Sequence, residues 1–308
     1  MCGADKKRKK SIKMERIITS LLETDMYKFS MGQAIYHQFS DYKTTWSFKC
    51  RNTDVFFTKE MVDEIKRQIQ LYCDLRFTEE ELEYLHNIKW IKGSYVDFLR
   101  LWKARYEDFE ISDDAECGLK IEARGTWLNT SMYEIPTLAI VNEVYFRMND
   151  DYDKLLASFR EKLDEKVRKV ETGEYNLGAF SEFGLRRRLS AEAQELAVKE
   201  LSKRKYPGST FVGTSNASTL HTQFQVLTSP SPIRFPILIY QSHLGALIHP
   251  FFLHKMKYCL TAQADCESYQ TNQKGFYQKA ALSPENGHIF SCLLPCPPDS
   301  SILPSSEF

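Results

Sequence analysis

The sequence predicts a mixed α/β protein, with an N-terminal α/β domain that leads into the first strands of a parallel sheet or barrel. Three observations carry that prediction. Two stretches alternate apolar and polar residues with period two, several others repeat apolar residues at helical spacing, and residues 176–216 read strand, loop, helix, strand.

Taken in order, Thr24 or Asp25 caps a helix whose Met31, Ala34, Ile35 and Phe39 share a face, with Tyr27 read as core and Lys28 as surface. Trp46, Phe48 and Cys50 then alternate with Thr45, Ser47 and Lys49, as in a half-buried strand. A helix with Met61, Ile65 and Ile69 inward follows, and Thr78-Glu79-Glu80-Glu81 is a capping box that opens another. Ser94-Tyr95-Val96-Asp97 begins a further helix carrying Phe98 and Trp102. Leu119, Ile121 and Ala123 restore the period of two. Helices fit Met132–Arg147, bent or started by Pro136, and Lys154–Val170. Asn176–Phe183 is extended, Ser190 caps a helix to about Lys205, and Thr210-Phe211-Val212 is a short buried strand. A β-α-β unit of this kind places its site at the C-terminal ends of the strands.

Charge and cysteine usage narrow the class of function. The 308 residues hold 41 basic and 41 acidic side chains, so no global field recruits nucleic acid or an anionic membrane. An anionic substrate must then be caught by local basic clusters. Eight scattered Cys without a secretory signal read as reduced thiols of a cytoplasmic protein. The run Lys6-Lys7-Arg8-Lys9-Lys10 is read as part of a disordered extension over 1–13, in preference to a nucleic-acid address.

A break lies near residue 217. Of the 82 charged side chains only 10 fall in the last 92 residues, which hold nine of the 11 Pro and five of the seven His. Pro, His and charge rarely shift together so abruptly at a domain boundary. The expected organisation is therefore the extension 1–13, an α/β domain with an inter-domain helix over 14–150, the first β/α units over 151–216, and an atypical tail over 217–308. That tail is read as frameshifted or alternatively spliced sequence. Phe235–His254 lacks charge but is interrupted by Pro and His, so it is not read as a membrane span. His249, His254, Cys259 and Cys266 match no common zinc spacing, and no metal site is expected. Residues 292–308 are Pro/Ser-rich and read as disordered.

Four segments can carry chemistry. Phe183-Gly184-Leu185-Arg186-Arg187-Arg188 sets three guanidiniums between a strand and a capped helix, a place suited to phosphate or carboxylate. A solvated basic turn paired with Glu182 and Glu192 explains the spacing equally well. Gly213-Thr214-Ser215-Asn216 supplies small, hydroxylic residues past the next strand, and adjacent strand ends share a crevice. Thr24-Asp25-Met26-Tyr27-Lys28 and Phe48-Lys49-Cys50-Arg51 are by themselves only a helix start and a basic strand end.

Together these segments, with Trp127 and Tyr133-Glu134-Ile135-Pro136 followed by Glu143, resemble the nicotinate phosphoribosyltransferase family in order and spacing. The resemblance covers residues 14–216. It implies that the β-α-β unit begins an irregular β/α barrel of the type II phosphoribosyltransferase kind, in a protein whose homodimers complete each site. It implies nicotinate, phosphoribosyl pyrophosphate and ATP as partners, with Mg²⁺ escorting the phosphates and nicotinate mononucleotide as product of NAD biosynthesis. It further implies that Tyr27 and Phe183 stack on the two faces of the pyridine ring. Arg186 would take a phosphoribosyl or carboxylate anion and serve as the catalytic residue, and Arg51 would reach phosphate, including across a dimer interface. Asp25 would sit beside the ring, with Thr214 and Ser215 lining the pocket. After Asn216 the family segments for the phosphorylated histidine, the ribose and metal carboxylates and the glycine-rich phosphate turn are not found, and His221 has the wrong neighbours for the first. The alternative expectation is an inactive, truncated family member that pairs with a complete subunit.

Overall fold

The computed structural model describes residues 14–50, 54–225 and 260–265. The basic segment 1–13, Arg51 and, apart from 217–225 and 260–265, the stretch beyond Asn216 lie outside the described residues, together with the span, metal and disorder readings made there.

Helix α1 (Met26–Gln38) is followed by strand β1 (Lys43–Cys50) and helices α2 (Lys59–Cys73), α3 (Glu79–His86) and α4 (Gly93–Leu101). Strands β2 (Phe109–Ser112) and β3 (Lys120–Thr126) lead into the long helix α5 (Trp127–Asn149) and then α6 (Tyr152–Glu171). The chain continues through β4 (Gly178–Glu182), α7 (Ala191–Ser202), β5 (Ser209–Thr214) and α8 (Ala217–Gln225), and β6 (Leu260–Asp265) is the last described strand. One sheet is antiparallel in the order β2-β3-β1-β6, and β4 and β5 form a parallel pair. The expected α/β class holds.

The caps explain where helices start. Thr78 accepts from the Glu81 amide while the Glu81 carboxylate accepts from the Thr78 amide, the reciprocal box expected of that sequence. Ser190 accepts from the Ala193 amide at the head of α7. On α1 the buried face is Lys28, Phe29, Gly32 and Ile35, one step round from the predicted stripe, and Met31, Ala34 and Phe39 are half-buried. β2 was not predicted, because four residues are too short a run to show a period.

α5 is the axis of the molecule. From Ile135 to Phe146 its residues are buried on every side, as befits a helix enclosed by the rest of a core. Pro136 neither starts the helix nor ends it. A mid-helix proline leaves the carbonyl four residues back without its amide donor. Here that carbonyl is Met132, and the buried Tyr72 hydroxyl of α2 donates to it at 3.2 Å. A side chain 60 positions away supplies the bond that the sequence withholds locally.

The main core wraps α5 with α1 to α4 and the antiparallel sheet. A smaller cluster of Leu163, Val167, Val170, Phe180, Ala197, Leu201 and Tyr206 packs α6 and α7 on the parallel strands. α8 extends the described fold nine residues past the composition break, with Ala217 and Leu220 buried.

Candidate active site

The site forms where the start of α1 meets the C-terminal ends of β4 and β5. Residues 22–26 are stapled to the turn after β5 by backbone bonds. The Met26 amide donates to the Ser215 carbonyl at 2.7 Å, and the Ala217 and Ser218 amides donate to the Thr24 and Leu22 carbonyls, each at 2.9 Å. Gly213, the penultimate residue of β5, has φ 120°, in a region that side chains disfavour. The two sequence segments, 190 positions apart, thus become one wall, and Ser215 Oγ donates to Asp25 Oδ1 at 2.5 Å.

Glu182, the last residue of β4, joins the two strand ends. A register shift in the parallel pair between Phe180 and Glu182 sets Glu182 opposite Thr214. Its buried carboxylate accepts from the Gly184 amide at 2.5 Å, from Thr214 Oγ1 at 2.6 Å and from Gln194 Nε2 at 3.0 Å. Its carbonyl accepts from the Ser215 amide at 3.0 Å. The Thr214 hydroxyl is therefore turned to Glu182 beneath the site, and Ser215 is turned to Asp25.

The predicted ring pair does come together. Tyr27 and Phe183 lie with centroids 6.1 Å apart and planes inclined by 19°. A flat ring between them needs about 7 Å, twice a carbon–carbon contact, so the pair must open by about 1 Å to admit one. Phe183 is 45% exposed and so has room to move. Burial pushes the Tyr27 phenol up to about 12, which keeps it neutral.

Three charged groups flank this pair. Arg186, in a short 3-10 turn that follows Gly184, places Nη1 3.3 Å from Glu134 Oε1, and Asn142 Nδ2 on α5 donates to its carbonyl at 2.8 Å. The other Glu134 oxygen is 2.6 Å from Lys28 Nζ, which lies 5.4 Å from the Tyr27 ring centroid. Lys28, read from the sequence as a surface residue, is only 3% exposed. Burial, the largest single influence, lowers its pKa, but the Glu134 charge and hydrogen bond together with Tyr27 and Asp25 outweigh it and raise the value. Burial likewise works against the Glu134 carboxylate, and Lys28 and Arg186 together bring it below its ordinary value.

Asp25 behaves differently. Burial raises its pKa to about 6; the Ser215 bond opposes this, the Glu182 charge adds to it, and Arg186 and Lys28 oppose it. It is a carboxyl group poised between neutral and ionised near physiological pH.

Arg188 and Arg186 divide their work. Arg188 is buried, and its Nη2 meets Glu23 Oε2 at 2.7 Å and the Ile17 carbonyl at 3.3 Å, tying residues 17–23 to the head of α7. Arg186 pairs with Glu134 and its charge acts on Tyr27, and Glu192 pairs with Arg160 across α6 and α7. The solvated-turn alternative named Glu182 and Glu192 as partners; Arg186 and Arg188 use Glu134 and Glu23 instead. Lys28, Glu134 and Glu182 were not singled out as site residues from the sequence. Glu134 stood within a quoted segment, but its partners lie 106 and 52 positions away. Arg51 lies outside the described residues. Among the described residues no group of three or more His, Cys, Asp or Glu is arranged to hold a metal ion. Nor is any described helix long and apolar enough to cross a membrane.

The chain and its fold are similar to known proteins. Residues 22–142 match the family model described as the nicotinate phosphoribosyltransferase N-terminal domain. The nicotinate phosphoribosyltransferase of Cupriavidus necator is 41% identical over 202 residues, 65% of this chain and 50% of that protein. That of Xylella fastidiosa is 40% identical over 211 residues, 66% of this chain and 51% of that protein. The crystal structure of the Porphyromonas gingivalis nicotinate phosphoribosyltransferase superposes with a TM-score of 0.59 at 30% identity, over 67% of this chain and 51% of that one. The Vibrio cholerae structure gives 0.59 at 29% identity, over 68% and 50%. The chain spans about half the length of the curated relatives it matches.

Proposed function

We propose that this chain, whose residues 22–142 form a nicotinate phosphoribosyltransferase N-terminal domain, carries the pyridine-binding part of that enzyme's active site. The observation that carries the reading is the Tyr27–Phe183 pair, near-parallel at 6.1 Å, with Arg186 and Asp25 beside it. Two rings set almost face to face suit a flat heteroaromatic. A guanidinium at their edge suits a carboxylate or phosphate. In the proposed reaction the pyridine nitrogen bonds to the anomeric carbon of phosphoribosyl pyrophosphate as the bond to pyrophosphate breaks, giving nicotinate mononucleotide. Tyr27, Phe183 and Asp25 orient the ring, Arg186 steadies an anion, and Ser215 fixes Asp25. Such catalysis rests on positioning and on stabilising the charge that departs. ATP, Mg²⁺, the Arg51 phosphate contact, a homodimer and a cytoplasmic location belong to the same proposal, on the support of the family resemblance.

A second reading keeps the pocket without the turnover: an inactive chain that pairs with a complete subunit. It is favoured by the composition break at 217 and by the family segments not found after Asn216. Incubating the purified full chain with nicotinate, phosphoribosyl pyrophosphate and Mg²⁺, with and without ATP, separates the two. Nicotinate mononucleotide in the product supports the first reading. Nicotinate binding without product supports the second, and a chain that does not bind nicotinate contradicts both.

A further inference from the structure

We infer that Lys28 is a positioning residue that occupies the Glu134 carboxylate and so keeps the Arg186 guanidinium open to an anionic group of the substrate. The inference deepens the reading above and rests on it.

The two cations compete for one carboxylate. Lys28 Nζ holds Glu134 Oε2 at 2.6 Å, and Arg186 Nη1 reaches Oε1 only at 3.3 Å, beyond the usual length of a charge-assisted bond. Lys28 is 3% exposed and Arg186 39%. The strong bond is thus buried, and the weak one belongs to the group that solvent and substrate can reach. Without Lys28 the Glu134 carboxylate would turn wholly to Arg186 and neutralise the guanidinium before any ligand arrived. A planar fork already filled by one carboxylate cannot take a second bidentately. Because Lys28 also lies against Tyr27, the same side chain supports the stacking face and the anion site together.

The test is the selectivity between charged and neutral ligands. Dissociation constants for nicotinate, nicotinamide and ribose 5-phosphate are measured calorimetrically on the full chain, wild type and Lys28→Met. Nicotinate should bind about tenfold or more weakly to the variant, the worth of a hydrogen bond to a charged group, with nicotinamide nearly unchanged. A loss confined to ribose 5-phosphate supports the inference with phosphate as the anion on Arg186. Equal weakening of nicotinamide, or no change in any constant, overturns it. The double variant Lys28→Met/Glu134→Gln, which removes both charges and leaves Arg186 unpaired, should recover most of the lost anion affinity. It also carries the test if the single variant does not fold, and a double variant that stays tenfold weaker for both anions overturns the inference. If the wild type binds neither anion, the reading of the site falls, a result distinct from unchanged affinities in Lys28→Met.

Discussion

Asp25→Asn should remove a pH dependence of stability that the buried Asp25 carboxyl imposes on the fold. Its pKa is about 6 in the folded chain against 3.8 for the ordinary group. A carboxyl raised on folding binds its proton more tightly in the native state. Its stabilising contribution is therefore complete below pH 3.8 and is lost as pH rises through 6. The difference of roughly two pKa units corresponds to about 3 kcal/mol over the whole range, of which about 2 kcal/mol falls between about pH 4.5 and 7.5. Many other groups titrate in that window, so the quantity to measure is the difference between wild type and variant. Urea unfolding of both full-length chains, followed by circular dichroism, gives it at each pH. The wild type should lose about 2 kcal/mol relative to Asp25→Asn from about pH 4.5 to 7.5 and no more above that. Parallel stabilities across the range would show that Asp25 is not held in a desolvated site, and the reasoning from burial would fail.

Other consequences follow from single contacts. Tyr72→Phe strands the Met132 carbonyl that Pro136 leaves without a donor, and should cost about 1–3 kcal/mol in chemical denaturation; an unchanged midpoint would mean the carbonyl is satisfied otherwise. Arg188→Met leaves the buried Glu23 carboxylate without its guanidinium, a loss of about 3–5 kcal/mol. Protease mapping should then show residues 14–23 released first, and equal protection in both chains would count against the clamp. Phe183→Ala removes a half-exposed ring, so stability should stay within about 0.5 kcal/mol. Nicotinate affinity should fall by about 0.5–1.5 kcal/mol or more, the worth of an aromatic pair beyond its buried area, and unchanged affinity would place the ligand elsewhere.

The parts of the fold that local rules govern were legible in the sequence. Thr78 and Ser190 cap helices where their neighbours say they should, and Trp46 and Phe48 alternate inward as a strand requires. The ring pair was reached only through the family resemblance, since Tyr27 begins a helix and Phe183 ends a strand for reasons unconnected with a ligand; Arg186 stood in a turn that the residues alone read equally as an anion site or a solvated basic turn. What stayed hidden depends on partners far along the chain. Lysine belongs at the surface unless a charge meets it inside. The Glu134 that meets Lys28 is 106 positions away, on a helix whose predicted start at Met132 fell five residues late. Pro136 argued for a break, and the hydroxyl that permits a continuous helix comes from α2. Glu182 looked like a counter-ion for neighbouring arginines, but its carboxylate accepts from the Gly184 amide, Gln194 and, opposite it after a register shift, the Thr214 hydroxyl of the next strand.

The central claim is that a pyridine ring lies between Tyr27 and Phe183. Its most direct test is nuclear magnetic resonance of the full chain with isotope-labelled Tyr and Phe, titrated with nicotinate. Intermolecular Overhauser contacts from the nicotinate ring protons to both Tyr27 and Phe183, lost in Phe183→Ala, are the result expected. Saturating nicotinate with contacts to neither ring would contradict the site.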